Sequence, residues 1–323
     1  MALSIILLIV GLALVVVGAE YLVDGSSSLA RRFGMSEFII GLTIVGMGTS
    51  APEMVVSFIG AIEGNADVSI GNVVGSNIFN TLLILGLTAL ILPIGITSAN
   101  LRRDIPVNIV VTLLLVVLGC KNKLFGAGFD GLGLVDGIVL LAIFVAYMWY
   151  SFVKDRPSSS DNPESAEKAD KDRSVAISLL MVAGGLAALV FGGRMFVDNA
   201  SLIATEIGVS QKFIAITVLA GGTSLPELAT CVVAAAKKKG QLALGNIIGS
   251  NLFNIMLVLG GSALIHPLPF TGMTAVDLGV LVFSAVILLL SAWIGKRNKL
   301  DRVDGSVMLA VWLAYMTYLI INL

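Results

Sequence analysis

The sequence predicts an all-α integral membrane protein, with ten transmembrane helices in two inverted five-helix repeats. Three observations lead there. Only 13% of the 323 residues are charged and 57% are hydrophobic, against roughly 25% charged in a soluble domain. The apolar residues fall in runs long enough to span a bilayer, which needs about 20 residues of helix. One motif appears twice along the chain, at matching places in the order of those runs.

The runs cover residues 3–23, 36–62, 66–92, 105–120, 133–153, 174–196, 210–236, 241–265, 273–294 and 304–322. Membrane strands would alternate polar and apolar over about 10 residues. These runs do not alternate, so helices are expected. The first run has no basic residues before it, unlike a signal peptide, and it has a counterpart later in the chain. It is expected to be retained. Cys120 and Cys231 lack metal-ligand spacing and read as small packing residues. His266, in the stretch HPLP after a run, reads as a loop residue.

The basic residues set an orientation. With the N-terminus outside, 16 of the 20 Lys and Arg fall on inside connections. Only Lys121, Lys123, Arg194 and Lys212 fall outside. The positive-inside rule therefore places both termini outside, in the cell (inner) membrane. Segment 154–173 packs 11 of the chain's 41 charged residues into 20 positions and reads as a disordered cytoplasmic linker. It divides the chain into a first five-helix repeat, 1–153, and a second, 174–323.

Residues 41–86 and 215–260 align at a constant offset of 174 without gaps, with 17 of 46 positions identical. Leu22-Val23-Asp24 echoes Phe196-Val197-Asp198, and AYMWY at 146–150 weakly echoes AYMTY at 314–318. Five runs per half is an odd number, so the second copy enters the membrane from the opposite side. Inverted repeats of this kind place their site near the midplane, where the repeats meet.

The motif carries the chemistry. Glu53 and Glu227 lie deep in their runs, with no charged neighbour from Phe38 to Ile62 or from Phe213 to Ala236. A charge at that depth costs at least about 2.5–3.5 kcal/mol. Each follows a proline, in GTSAPE at 48–53 and GTSLPE at 222–227. Proline lacks an N–H and clashes with the carbonyl four residues back. The carbonyls of Gly48 and Gly222 are thus expected to be free, and those of Thr49 and Thr223 loosened. Non-helical backbone at membrane depth is tolerated only in protein or beside a wet cavity.

The next run supplies GNVVGSNIFN at 71–80 and GNIIGSNLFN at 245–254. Ser76 and Asn80 share a helix face, as do Ser250 and Asn254. Asn72 and Asn246 read as packing or capping residues, and Gly71 and Gly75 admit close helix approach. The donor set is all oxygen: Glu53, Glu227, the hydroxyls of Ser50, Ser224, Ser76 and Ser250, the amides of Asn80 and Asn254, and backbone carbonyls. Such a set suits hard cations; Ca²⁺ takes about six to eight oxygens.

The paired motifs GTSAPE/GNVVGSNIFN and GTSLPE/GNIIGSNLFN resemble the two α-repeats of the sodium/calcium exchangers, in the calcium/cation antiporter superfamily. The resemblance covers both halves and is closest to the compact prokaryotic members. It implies exchange of about three Na⁺ for one Ca²⁺ by alternating access, with the first and sixth helices sliding as a pair. It implies that Glu53 and Glu227 bind both ions, that carbonyls of Thr49 and Thr223 complete the Ca²⁺ shell, that Ser50, Ser76, Ser224 and Ser250 serve Na⁺, and that Asn80 joins the central cluster. Two carboxylates balance one Ca²⁺ and fall one charge short of three Na⁺, so the exchange would be electrogenic. Some members, including potassium-dependent ones, carry Asp where this chain has Asn254, which disfavours K⁺ co-transport here.

The transported ions would be Ca²⁺ and Na⁺, in a lipid bilayer, with no cofactor and no nucleic-acid partner. The chain is expected to work as a monomer. An enzyme is disfavoured, for the sequence offers no nucleophile–base pair and no phosphate-binding loop. Two other readings remain open. In a proton/calcium exchanger the glutamates would carry protons, which leaves the serines and asparagines without a role. A cation channel would pass ions without obligatory counter-transport.

Overall fold

The computed structural model describes residues 1–126, 128–154, 174–208, 220–294 and 298–322. Of the expected linker only Lys154 falls within them, as the last residue of a helix. Residues 210–219 of the expected seventh run, with Lys212, lie outside them, as do Lys296 and Arg297.

The described residues are almost wholly helical. In chain order they form α1 (Ala2–Phe33), α2 (Glu37–Thr49), α3 (Ala51–Ile62), α4 (Ala66–Ile91), α5 (Ile105–Gly119), α6 (Leu134–Lys154), α7 (Val175–Glu206), α8 (Leu225–Ala236), α9 (Gly240–Ile265), α10 (Ala275–Ile294) and α11 (Arg302–Ile321). Among the described residues seven are long and apolar enough to cross a membrane, or eight if the bent pair α2–α3 is one span. The sequence runs differ from these helices in places. α1 and α7 each have 32 residues and run well past the expected ends at 23 and 196. Beyond those ends α1 buries polar Ser26, Ser27 and Ser28 and α7 buries Asn199, positions at which hydropathy alone stops a run. α5 has only 15 residues, preceded by a π-helical turn at Asn100–Asp104.

Burial sorts the helices into layers. Nearly every residue in the most apolar stretch of α9 is buried, and two thirds of those in α4, so these two form the core. α1, α6, α7 and α11 are only 11–28% buried. Their outer faces carry large apolar side chains such as Ile6, Trp149, Leu180 and Leu313, as lipid-facing helices do.

α1 and α7 pack along a seam of small residues. Gly11, Gly18 and Gly25 are spaced by seven and meet Gly192, Gly185 and Ser178 in reverse order, so the two helices run antiparallel. A Cβ on Gly18 would lie 2.8 Å from the Gly185 carbonyl oxygen and 2.9 Å from the Leu189 nitrogen. Absent side chains let the backbones touch, the usual route to helix association where lipid removes the hydrophobic drive. α2 packs on α9 in the same manner: Gly41 and Gly46 face Leu242 and Asn246, and Gly245 and Gly249 face Phe38 and Leu42.

Two short antiparallel ribbons join the halves. Ile94 and Gly95 pair with Leu300 and Lys299, and Gly131 and Leu132 pair with Pro269 and Leu268. Ile94–Gly95 and Leu268–Pro269 stand 174 residues apart, the offset of the sequence repeat. Each ribbon takes one strand from either side of the central linker. The weak AYM echo also has a structural counterpart. The Tyr147 hydroxyl donates to Asp104 Oδ1 (2.8 Å), and the Tyr315 hydroxyl to Asp277 Oδ1 (2.7 Å). Each bond ties the last helix of its half to the helix before it.

Gly18→Val tests the seam, because the added methyls must push two backbones apart. It is expected to lower unfolding stability in detergent by about 1–3 kcal/mol. Gly184→Val adds the same atoms on the same helix pair where nothing lies within 4 Å, and is expected to leave the melting temperature within a degree or two of the parent's. Equal melting of the two variants would contradict the seam.

Candidate cation site

The site begins at a break in the chain. α2 ends at Thr49, Ser50 turns with φ −81° and ψ 7°, and α3 restarts at Ala51 with Pro52 in its first turn. The two helix segments meet at a bend of 48°. Proline is well placed there, since the first helical N–H groups have no partner in any case. In the second copy Ser224 turns with φ −88° and ψ 8°, and Pro226 opens α8. The expected free carbonyl at Gly48 is not found. The capping N–H groups at the first break reach the carbonyls of Gly46 and Gly48, because the chain tightens as α2 ends.

Both breaks aim a glutamate into the protein. Glu53 and Glu227 are each 0% exposed. The Ser50 hydroxyl donates to Glu227 Oε1 (2.8 Å), and the Ser224 hydroxyl to Glu53 Oε1 (3.0 Å). These bonds are reciprocal: each copy's serine holds the other copy's glutamate. The Ser250 hydroxyl lies 3.4 Å from Glu227 Oε1 and 3.2 Å from the Gly46 carbonyl oxygen. Among the described residues neither carboxylate has an ion-pair partner.

α4 and α9 bring the asparagines. Asn80 Nδ2 donates to Asn251 Oδ1 (3.2 Å) and Asn254 Nδ2 to Asn77 Oδ1 (3.1 Å), again a reciprocal pair at the 174-residue offset. Asn77 Nδ2 donates to the Asn251 carbonyl (3.1 Å), and Asn251 Nδ2 to Thr81 Oγ1 (2.8 Å). In both copies the helix widens to π geometry here, over Phe79–Ile84 and Asn254–Leu259. Such insertions mark functional positions in many helices.

Six predicted residues hold a buried polar atom without a hydrogen-bond partner: Glu53 Oε2, Glu227 Oε2, Ser76 Oγ, Asn80 Oδ1, Asn254 Oδ1 and Thr223 Oγ1. Buried polar atoms are nearly always bonded, and an exception asks for a cause. Five of the six are carbonyl, carboxylate or serine oxygens on helices that meet at the core, a donor set chemically suited to a hard cation. The amide hydrogens of Asn80 and Asn254 are engaged with Asn251 and Asn77, which leaves their oxygens free.

The structure thus joins Glu53, Glu227, Ser50, Ser224 and Ser250 by direct hydrogen bonds. Ser76, Asn80 and Asn254 lie on the core helices without a bond to either carboxylate. The Thr49 hydroxyl turns away, toward the Val45 carbonyl (3.0 Å) and Asn246 Oδ1 (3.1 Å), so only its backbone oxygen remains to offer.

Sequence reasoning missed the supporting residues. Asn72 Nδ2 donates to the Glu53 carbonyl (3.0 Å) and to Ser57 Oγ (3.0 Å). Asn246 Nδ2 donates to Cys231 Sγ (3.3 Å). Both asparagines, read as packing or capping residues, stand directly behind the glutamate turns. Asn77 and Asn251 orient Asn80 and Asn254. The signal was present in the sequence, for all four recur at the same offset.

A family model described as sodium/calcium exchanger protein matches residues 3–153 and 177–321. The chain belongs to the sodium/calcium exchanger family. It is 37% identical to the putative antiporter CaxA of Alkalimonas amylolytica, over 98% of each chain. It is 30% identical to the sodium/calcium exchanger MaX1 of Methanosarcina acetivorans, over 97% of each. Among solved structures it is similar to the sodium-calcium exchanger NCX_Mj soaked with Na⁺ and Ca²⁺, with a TM-score of 0.83, 34% identity and 98% of each chain covered. With its long apolar helices and membrane-protein relatives, the chain is a multi-pass membrane protein.

Asn251→Leu tests the asparagine network. It strips the Asn80 amide of its acceptor inside the core, and an unmet buried donor costs about 1–3 kcal/mol. Denaturant unfolding in detergent should show a loss of that size, whereas wild-type stability would mean that the network does not hold Asn80.

Proposed function

We propose that this protein is a secondary active antiporter that exchanges Na⁺ for Ca²⁺, about three to one and electrogenically, by alternating access. The observation that carries the reading is the reciprocal Ser–Glu pairing, in which two buried carboxylates from equivalent breaks each keep one oxygen free. Two buried carboxylates with no cationic partner among the described residues call for a cationic ligand, and one Ca²⁺ neutralises both. The ligands on this reading are Glu53 and Glu227, the carbonyls of Thr49 and Thr223, the hydroxyls of Ser50, Ser224, Ser76 and Ser250, and the amide oxygens of Asn80 and Asn254. No cofactor takes part.

The reading also takes the chain as ten helices in two inverted five-helix repeats, 1–153 and 174–323, joined by a cytoplasmic linker at 154–173. Both termini then lie outside the cell (inner) membrane, and the functional unit is the monomer. The antiparallel α1–α7 pair and the 174-residue spacing of the ribbons support the inversion. The amide of Asn254 supplies no charge, so the vacant site carries at most −2, which supports Na⁺ and Ca²⁺ rather than a further monovalent ion as cargo.

Proteoliposomes loaded with Na⁺ should take up Ca²⁺ when diluted into Na⁺-free medium, and faster with a positive interior. Glu53→Gln and Glu227→Gln should each cut that uptake at least about a hundredfold, a loss of roughly 2.7 kcal/mol or more, while eluting as folded protein. Uptake driven by a pH gradient without Na⁺ would instead favour a proton exchanger. Flux indifferent to any counter-ion would favour a channel.

A further inference from the structure

The turns that precede the two core helices have the same backbone and opposite charge. Glu63, Gly64 and Asn65 link α3 to α4; Lys237, Lys238 and Lys239 link α8 to α9, 174 residues on. Their N–H groups reach back to Ile59, Ala61 and Gly60 in the first copy, and to Val233, Ala235 and Ala234 in the second. The central residue is left-handed in both, with φ 71° at Gly64 and φ 61° at Lys238. Glycine takes that conformation freely; a side chain there is uncommon. The second turn carries a lysine there despite the strain.

The lysines have a partner on α1. Lys237 Nζ lies 2.7 Å from Asp24 Oδ1, and Lys239 Nζ lies 3.8 Å from the same oxygen. The three side chains are 18–31% exposed. Burial lowers the Lys239 ammonium below its ordinary range, against the pull of Glu37 and Asp24. The equivalent of Asp24 is Asp198 on α7, which is exposed. The equivalent of Lys237 is Glu63, which repels a carboxylate instead of binding it. One end of the α1–α7 pair is thus held by charge, and among the described residues the equivalent end has no matching ion pair.

We infer that Asp24, Lys237 and Lys239 form an ionic latch that holds the α1–α7 pair in one of its two positions, and that the Asp198–Glu63 end, which has no such ion pair among the described residues, leaves the other position unlatched. α1 and α7 are the natural moving part. They pack on one another along the glycine seam and carry large apolar side chains on their outer faces, while the ribbons clasp the connections of the remaining helices. An interaction made in one position only shifts the balance between the two by its own free energy. The consequence for transport rests on the exchanger reading: the protein waits with its site facing one side, and the apparent affinities on the two sides differ.

The inference is tested by distance measurement on the full chain in liposomes. Spin labels are placed at Phe33→Cys, on the latched end of α1, and at Ile91→Cys, exposed and next in the chain to Leu92, which packs at Gly240 beside the lysine turn. Cys120→Ala removes the accessible native thiol, and Cys231 is buried. Double electron–electron resonance should give one dominant distance. Asp24→Asn should at least double the minor population, as should Lys237→Gln with Lys239→Gln. The swap Asp24→Lys with Lys237→Asp should restore the parental distribution. Glu63→Lys, which offers Asp198 a partner, should move it the opposite way. Superimposable traces for Asp24→Asn and the parent would overturn the latch, as would a change seen with the lysine variants alone, since the lysines would then act only on membrane orientation. Absence of Na⁺-driven Ca²⁺ flux in the parent would sink the exchanger reading by itself, and the distances would still decide the latch.

Discussion

Two carboxylates buried at equivalent turns of the two copies, with no ion-pair partner among the described residues, set the terms for everything around them. At membrane depth a single charge already costs several kcal/mol, and a second of the same sign adds repulsion. The described residues answer with neutral donors only: a serine hydroxyl to one oxygen of each glutamate, a second serine near Glu227, and no ion pair. That is too little to satisfy a carboxylate pair. It is well matched to a pair that spends its working life holding a cation.

The rest of the structure follows from presenting those carboxylates without exposing them to lipid. The prolines break two helices where Glu53 and Glu227 must turn inward. Glycines let α2 come so close to α9 that Ser250 can reach both Gly46 and Glu227. Asn77 and Asn251 take up the amide hydrogens of Asn254 and Asn80, so that oxygens are left over. Around this fixed centre, the ribbons bind the connecting segments, and the glycine seam makes α1 and α7 a unit of their own. A close-packed site beside a helix pair with its own seam suits the alternating access proposed above.

Much of this was legible in the sequence, because repetition makes chemistry visible. The pairing of Glu53 with Glu227 followed from a constant offset and two prolines. Ser50 and Ser224 followed from the same turns. What was not legible depends on contacts between distant segments. Nothing in GNVVGSNIFN says that Asn77 will orient Asn254 of the other copy, or that Asn72 will bond the Glu53 carbonyl. The π-helical turns have no residue signature. The sequence runs stop short in α1 and α7 because hydropathy registers Ser26, Ser27, Ser28 and Asn199 as polar but not the packing that buries them. The free carbonyl expected at Gly48 failed for a local reason: the capping N–H groups close on it.

The central claim is that Glu53 and Glu227 form one site that holds Ca²⁺ or Na⁺ but not both. Equilibrium binding of radioactive Ca²⁺ to the purified protein, titrated with Na⁺ at constant ionic strength, tests it most directly. The account predicts one Ca²⁺ per chain, displaced completely by Na⁺ with a Hill coefficient well above one. Ca²⁺ binding that persists at saturating Na⁺, or that choline displaces equally well, would contradict it.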